Sequence, residues 1–130
     1  MRWLALTAAV SIAVGCSPSP EKAAHEAKQA AGSWGATLSA AAEHWGSNEI
    51  STSYFQSVLT QARSSLTKEA QSARKSGGDT AADPVDAVAS HVDVIADAAR
   101  RGDRAAAIEA AHAAAMAVPA DKTAPVARPQ

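Results

Sequence analysis

Cysteine is nearly absent from this sequence, and its scarcity is the first constraint on the fold. Cys16 is the only cysteine among 130 residues, so no disulfide can form within the chain. A domain of this length can be stabilised by an apolar core alone, and this chain must rely on one. A Cys-x-x-Cys-His motif is also missing, which excludes covalent attachment of a c-type haem.

Aromatic and strand-forming segments are equally scarce. Aromatic residues make up only 4% of the chain, and after Trp3 they are Trp34, Trp45, Tyr54 and Phe55. No segment alternates β-branched and polar residues, the pattern typical of half-buried strands. Alanine, the strongest helix former, is instead the commonest residue. The composition therefore predicts an all-α fold.

Motifs for catalysis and for nucleic-acid binding are missing as well. The sequence has no Gly-x-Ser-x-Gly, Walker or His-Glu-x-x-His motif. Its 12 basic and 13 acidic residues nearly cancel, and no basic block or basic–aromatic cluster marks a nucleic-acid surface. We therefore expect neither an enzyme nor a nucleic-acid-binding protein, and we assign no catalytic residue.

The first sixteen residues have the layout of a secretory signal. Arg2 precedes a largely apolar run from Trp3 to Val14, and Gly15 then leads into Cys16. This run is shorter than the roughly 20 apolar residues that a membrane-spanning helix needs. The layout predicts export of the protein.

The end of this run resembles the lipobox of bacterial lipoproteins. Residues 13–16 read Ala-Val-Gly-Cys, where the family usually has Leu-(Ala/Ser)-(Gly/Ala)-Cys, so Ala13 departs from the preferred leucine. The resemblance covers residues 1–16 alone. It implies that the sulfur of Cys16 carries a diacylglycerol, that residues 1–15 are cleaved, and that the new amino terminus can be acylated. The alternatives are an ordinary signal followed by a buried free thiol, or an uncleaved anchor.

The resemblance also carries an expectation about localisation. Two or three acyl chains hold a protein stably at a membrane. Ser17 follows Cys16, whereas in Gram-negative lipoproteins an aspartate there is the usual signal for inner-membrane retention. In a cell with two membranes the resemblance therefore implies the outer membrane, with the domain facing the periplasm. Residues 16–20 form the expected lipidated tether.

The first two predicted helices carry all the aromatic residues after Trp3. Ser19 is the expected N-cap of the first helix, and Gly46 is its expected C-cap. The second helix is expected to start near Ser51 or Thr52 and to end at Gly77-Gly78. The buried face predicted for the first helix is Ala27, Ala31, Trp34, Leu38, Ala41 and Trp45. The face predicted for the second helix is Phe55, Val58, Leu59, Ala62, Leu66, Ala70 and Ala73.

The last two predicted helices follow a polar loop over residues 77–83. Asp83 is the expected N-cap of the third helix and Gly102 its end, while Asp103 caps a fourth helix that Pro119 stops. The predicted face of the third helix is Val85, Val88, Val92, Ile95 and Ala99. The predicted face of the fourth is Ile108, Ala111, Ala115 and Val118. With so few large side chains, the fourth helix should dock weakly.

Four helices with short connections favour an antiparallel up-down four-helix bundle over residues 21–118. The alternative is a pair of helical hairpins that pack fully only in a dimer or against a partner. Residues 119–130 contain three prolines and few apolar anchors, and we expect this tail to be disordered.

The histidines are the only candidates for a metal or haem site. His91 and His112 are almost equally distant from Gly102, which places them at one height in an antiparallel hairpin. They flank opposite edges of their helices, which argues against a shared metal. Met116 and His112 lie on one helix and cannot bind opposite faces of a haem iron. We therefore expect no metal and no cofactor, and we interpret the histidines as solvated flank residues.

The sequence thus predicts a non-enzymatic, lipid-anchored envelope protein. Its helical domain is a structural or protein-interaction module, held at the membrane through Cys16, with an envelope protein as the possible partner. The alternative is a periplasmic bundle that binds a small ligand or metal, either through its histidines or in a cleft between Trp34 and Trp45.

Overall fold

The structure, a computed structural model, describes residues 19–118 as four α-helices. These are α1 (Pro20–Gly46), α2 (Thr52–Gly77), α3 (Asp79–Arg100) and α4 (Arg104–Met116). No strand occurs in the described part, so the predicted all-α class is confirmed. The expected signal peptide, the anchor residue Cys16 and the tail 119–130 lie outside the described residues.

Consecutive helices run antiparallel, as the predicted bundle requires. The end of α2 meets the start of α1, where Gly77 lies beside the Ala23 side chain. The end of α1 meets the start of α4, where Arg104 reaches Trp45. Both α1 and α3 pack on every other helix, whereas α2 and α4 share no close backbone contact. The α1–α3 pair is therefore the short diagonal of the bundle.

The starts of three helices are specified by local capping. The side chains of Ser19, Ser51 and Asp103 accept hydrogen bonds from backbone N–H groups one turn later, satisfying donors that the helix leaves free. The donors are the N–H groups of Lys22, Tyr54 and Ala106, at 3.1, 3.1 and 3.0 Å. The predicted caps Ser19 and Asp103 are confirmed, and Ser51 caps α2 at its predicted start.

The ends of α1 and α3 close in the same way, with one residue in the left-handed conformation. Gly102 (φ 69°) does this after α3, as predicted. After α1 the residue is Asn48 (φ 60°), and Gly46, the expected cap, still belongs to the helix. In both motifs the N–H groups of the left-handed residue and of the residue after it donate hydrogen bonds to carbonyls of the last turn.

The polar loop predicted over residues 77–83 is wrong. Gly78 (φ 82°) alone connects α2 to α3, and α3 begins at Asp79. Asp83 is therefore not an N-cap but an exposed residue within α3. This added first turn of α3 carries Ala81 and Ala82, which are buried on the core-facing side of the helix.

The core is unevenly distributed among the helices. Its largest fully buried side chains all belong to α1, α2 and α3: Trp45, Phe55, Leu38, Leu66, Ile95, Val85, Val88 and Val92. The helix α4 buries only alanines: Ala107, Ala110, Ala111 and Ala114. Ile108 and Ala115, expected in its buried face, are half-buried. The Ile108 side chain instead covers Gly46 at the edge of the α1–α4 interface.

The face of α1 also differs from the prediction, because Gly35 and not Trp34 points inward. A Cβ on Gly35 would lie 2.9 Å from the Ala114 carbonyl oxygen and 3.0 Å from the Ala115 Cα. The backbone of α4 therefore packs directly on Gly35, and the neighbouring indole of Trp34 lies at the edge, half-buried. Trp45 is 1% exposed, so only one of the two tryptophans is fully buried.

Candidate functional site

The predicted attachment residue, Cys16, precedes the described part by a short distance in sequence. Ser19, the N-cap of α1, follows it after only two intervening residues. An extended chain advances about 3.3–3.6 Å per residue, so three residues span at most about 11 Å. Ser19 itself lies at the end of the bundle where α1 begins and α2 ends.

The most elaborate cluster of side chains lies at the opposite end, around Trp45. The indole stacks on Phe55 of α2, with ring centroids 4.9 Å apart and planes 16° apart. Its Nε1–H donates a hydrogen bond to Thr52 Oγ1 at 3.1 Å. The guanidinium of Arg104 lies over the ring, 5.1 Å from the centroid. Because these groups enclose Trp45, it does not line the ligand cleft considered from the sequence.

Arg104 ties the start of α4 to the end of α1. Its Nε–H donates to the Trp45 carbonyl at 3.4 Å, and its Nη2 donates to Asn48 Oδ1 at 2.8 Å. A cation is unfavourable at the first position of its own helix but favourable beside the terminal carbonyls of another. The sequence patterns described above do not predict this contact. Its one local signal is that unfavourable position, which indicates a cation used by a neighbouring element.

The structure does not bring His91 and His112 together. His112 Nε2 pairs instead with Glu43 Oε1 of α1 at 2.8 Å, and His91 lies half-buried on α3. A second histidine, His44, pairs with Glu49 across the end of α1. Between residues 19 and 118 no three histidine, cysteine or acidic side chains converge as a metal site would require. The expectation that no metal is bound stays a prediction.

Two arginines of α2 form ion pairs with three aspartates of α3. Arg63 pairs with Asp93, and Arg74 pairs with Asp86 and, at 3.5 Å, with Asp79. These pairs are solvent-exposed, and such pairs typically contribute 1 kcal/mol or less. They connect the two helices non-covalently, and each of these carboxylates is paired with a guanidinium group.

The outer face of α2 is polar and nearly uncharged. Its hydroxyls are partly satisfied by the helix itself, since Ser57 Oγ donates to the Ser53 carbonyl and Thr60 Oγ1 to the Gln56 carbonyl. The surface there is shallow and open, and it is formed by Ser53, Gln56, Ser57, Thr60, Gln61, Ser64, Ser65 and Lys68. The face offers hydrogen-bonding groups but no enclosed volume for a small ligand.

No protein-family model matches the chain, and no curated protein or solved structure is significantly similar to it. The structure itself therefore defines the class, a small antiparallel four-helix bundle with an alanine-rich core. None of the helices described between residues 19 and 118 combines the length and apolar character needed to cross a bilayer.

Proposed function

We propose that the protein is a non-enzymatic, lipid-anchored module of the bacterial envelope, whose helical bundle has a structural or protein-binding role. One observation carries the proposal. A signal-like run ends at the only cysteine of the chain, and a folded bundle begins almost immediately afterwards, at Pro20. The sequence resemblance to lipoproteins supplies the chemistry, a thioether-linked diacylglycerol on Cys16.

The character of the bundle supports a role without catalysis. Every buried side chain described between residues 19 and 118 is apolar. The acidic groups with resolved partners, among them Asp86, Asp93 and Glu43, sit at the surface in pairs with arginine or histidine. Catalytic acids and bases are usually found in clefts with perturbed environments. The described surface of this protein instead offers helix faces, which suit contacts with another macromolecule.

The short tether also suggests an orientation for the module. With the lipid on Cys16, the Ser19 end of the bundle stays near the membrane surface. A helix of 27 residues is about 40 Å long, so α1 carries the Trp45 cluster away from the lipid. The two turns at that distal end, over residues 47–51 and 101–103, are then the parts of the bundle farthest from the membrane and most accessible to a partner in the envelope.

Substitution of the anchor residue tests the proposal. Cys16→Ser removes the sulfur that the lipid requires, and we expect loss of fatty-acid labelling and release or misprocessing of the protein. Labelling cells with a radioactive or alkynyl fatty acid, followed by membrane fractionation, gives the readout. Ser17→Ala is the matched control, because it leaves the thiol in place and should keep the label. A wild-type protein that fractionates with membranes but never takes up label would overturn the proposal.

A cross-linking experiment addresses the partner. A photoreactive residue in the distal turn at Ser47, compared with one near the membrane end at Lys75, should capture an envelope protein preferentially from the distal position. Both positions are exposed, so the comparison isolates location on the bundle. Equal capture at both ends would contradict the orientation suggested above.

A further inference from the structure

The uneven core divides the bundle into two parts. The eight largest fully buried side chains lie in α1, α2 and α3, whereas α4 buries four alanines. Stabilisation by apolar burial scales with the area removed from water, so an alanine face gains the least per residue. Of the four helices, α4 is therefore the one with the smallest gain from docking.

The pattern of contacts makes α4 separable as well. It packs on α1 and α3 but not on α2, and α1 and α3 also pack on each other. The α1–α2, α2–α3 and α1–α3 interfaces therefore do not require α4. We call residues 19–101, which contain these three helices, the three-helix body.

Besides its buried alanines, Ile108 over Gly46 and the buried Val118 after the helix, three further contacts hold α4 on the three-helix body. The first is the close approach of the α4 backbone to Gly35, which allows no side chain at that position. The second is the set of bonds from Arg104 to Trp45 and Asn48. The third is the exposed His112–Glu43 pair, of a kind that contributes little. A helix of 13 residues is marginal in isolation, so α4 depends on these contacts.

We propose that α4 is a detachable strap, which undocks as a unit from a persisting three-helix body and uncovers the surface of α1 at Gly35. The hinge is the connection at Gly102, an exposed glycine with φ of 69°. The inference goes beyond the proposed function, because it rests on packing within residues 19–118 and holds with or without a lipid on Cys16.

Hydrogen exchange followed by mass spectrometry tests the strap directly. The protein from Ser17 onward contains every described residue and is the sample. We expect amides in α4 to exchange through a local opening, at least about tenfold faster than core amides in α2 and α3. Equal protection in all four helices would show that α4 opens only with global unfolding, and would overturn the proposal.

Two glycine variants sharpen the test. Gly35→Ala places a methyl group against the α4 backbone, and exchange in α4 should rise by roughly a further tenfold while α2 keeps its protection. Gly32→Ala is the matched control in the same helix, because its Cβ meets nothing within 4 Å. In the control, exchange in α4 should stay the same or slow. A rise in exchange spread evenly over all helices in Gly35→Ala, or its outright unfolding, would contradict a persisting three-helix body.

A third variant tests the same strap from its other end. Arg104→Ala removes the contacts to Trp45 and Asn48 but leaves the Asp103 cap in place. It should increase exchange in α4 severalfold and leave the protection of α2 unchanged. An Arg104→Ala protein with wild-type exchange in α4 would count against the strap.

Discussion

Trp45 is the side chain at which three of the four helices meet. It belongs to α1, stacks on Phe55 and bonds to Thr52 of α2, and lies beneath Arg104 of α4. The apolar surface of its indole is buried, and the indole N–H has a hydrogen-bond acceptor. Trp34, by contrast, lies half-buried where the α4 backbone has come close to Gly35.

The two tryptophans therefore make a matched pair for mutation. Trp45→Ala should destabilise the domain by about 3–5 kcal/mol, the usual cost of truncating a buried aromatic, while Trp34→Ala should cost clearly less. Trp45→Phe should be milder than Trp45→Ala, because it keeps a ring against Phe55. Urea unfolding followed by circular dichroism measures all three. A greater loss in Trp34→Ala than in Trp45→Ala would show that the indole of Trp34 is the more important of the two.

Gly35 shows how an absent side chain shapes the same interface. Its missing Cβ allows the backbones of α1 and α4 to touch. A glycine in the middle of a helix lowers the stability of the helix by about 1 kcal/mol relative to alanine. Here that cost is offset by the close packing of the α4 backbone on α1, which a side chain at position 35 would prevent.

At the scale of the helix, stability depends on whether a polar residue stands at the terminus or within the helix. Asp103 accepts the Ala106 N–H at the start of α4, whereas Asp83 lies inside α3 and caps nothing. Chemically identical carboxylates thus have different roles, set by where each helix begins.

This difference gives a direct prediction. Asp103→Ala should destabilise the domain by about 0.5–2 kcal/mol, since it leaves a helix N–H without its partner. Asp83→Ala should lie within about 0.5 kcal/mol of the wild type, because it removes no cap. Chemical denaturation of both variants under the same conditions measures the difference. If Asp83→Ala were the more damaging of the two, α3 would begin near residue 84 and the connection of α2 to α3 described above would be wrong.

The start of α3 illustrates how packing changes a helix boundary. Pro84 lies within α3, although proline is best tolerated in the first turn. The stretch before it is helical because Ala81 and Ala82 contribute to the core. The gain from burying these alanines extends the helix beyond its locally preferred start.

At the scale of the whole molecule, the core is closed within one chain. Each helix packs on the helices before and after it in the chain, and α1 and α4 pack on each other, which closes the ring. The large side chains form one core cluster inside this ring. The two predicted hairpins therefore complete each other in a single copy. This favours a monomer over a dimer that is required for folding.

The prediction is that the protein from Ser17 onward unfolds at a denaturant midpoint independent of its own concentration. Obligate dimers gain stability as concentration rises, and their midpoint shifts over a roughly hundredfold range of concentration. Urea titrations at the two extremes, together with light scattering of the native protein, make the comparison. A midpoint that rises with concentration would indicate that hairpins from two copies form the native core.

The sequence by itself determined the features that depend on neighbours along the chain. The helical class, the caps at Ser19 and Asp103, the start of α2 near Ser51, and the glycine that follows α3 at Gly102 all follow from local rules and are found in the structure. The signal-like run and Cys16 are likewise local, and the proposed anchoring depends on them alone. These features are readable because each requires only a few consecutive residues.

The tertiary structure decided what depends on how helices fit against one another. It placed Gly35 inward in place of Trp34, joined Arg104 to Trp45, and extended α3 upstream to Asp79. Adjacent positions on a helix differ by about 100°, so a small rotation exchanges which of them faces the core. That rotation is set by the surface of the neighbouring helix, which is distant in the sequence. It is the reason that the two indoles, equivalent in the heptad pattern, have different environments in the folded protein.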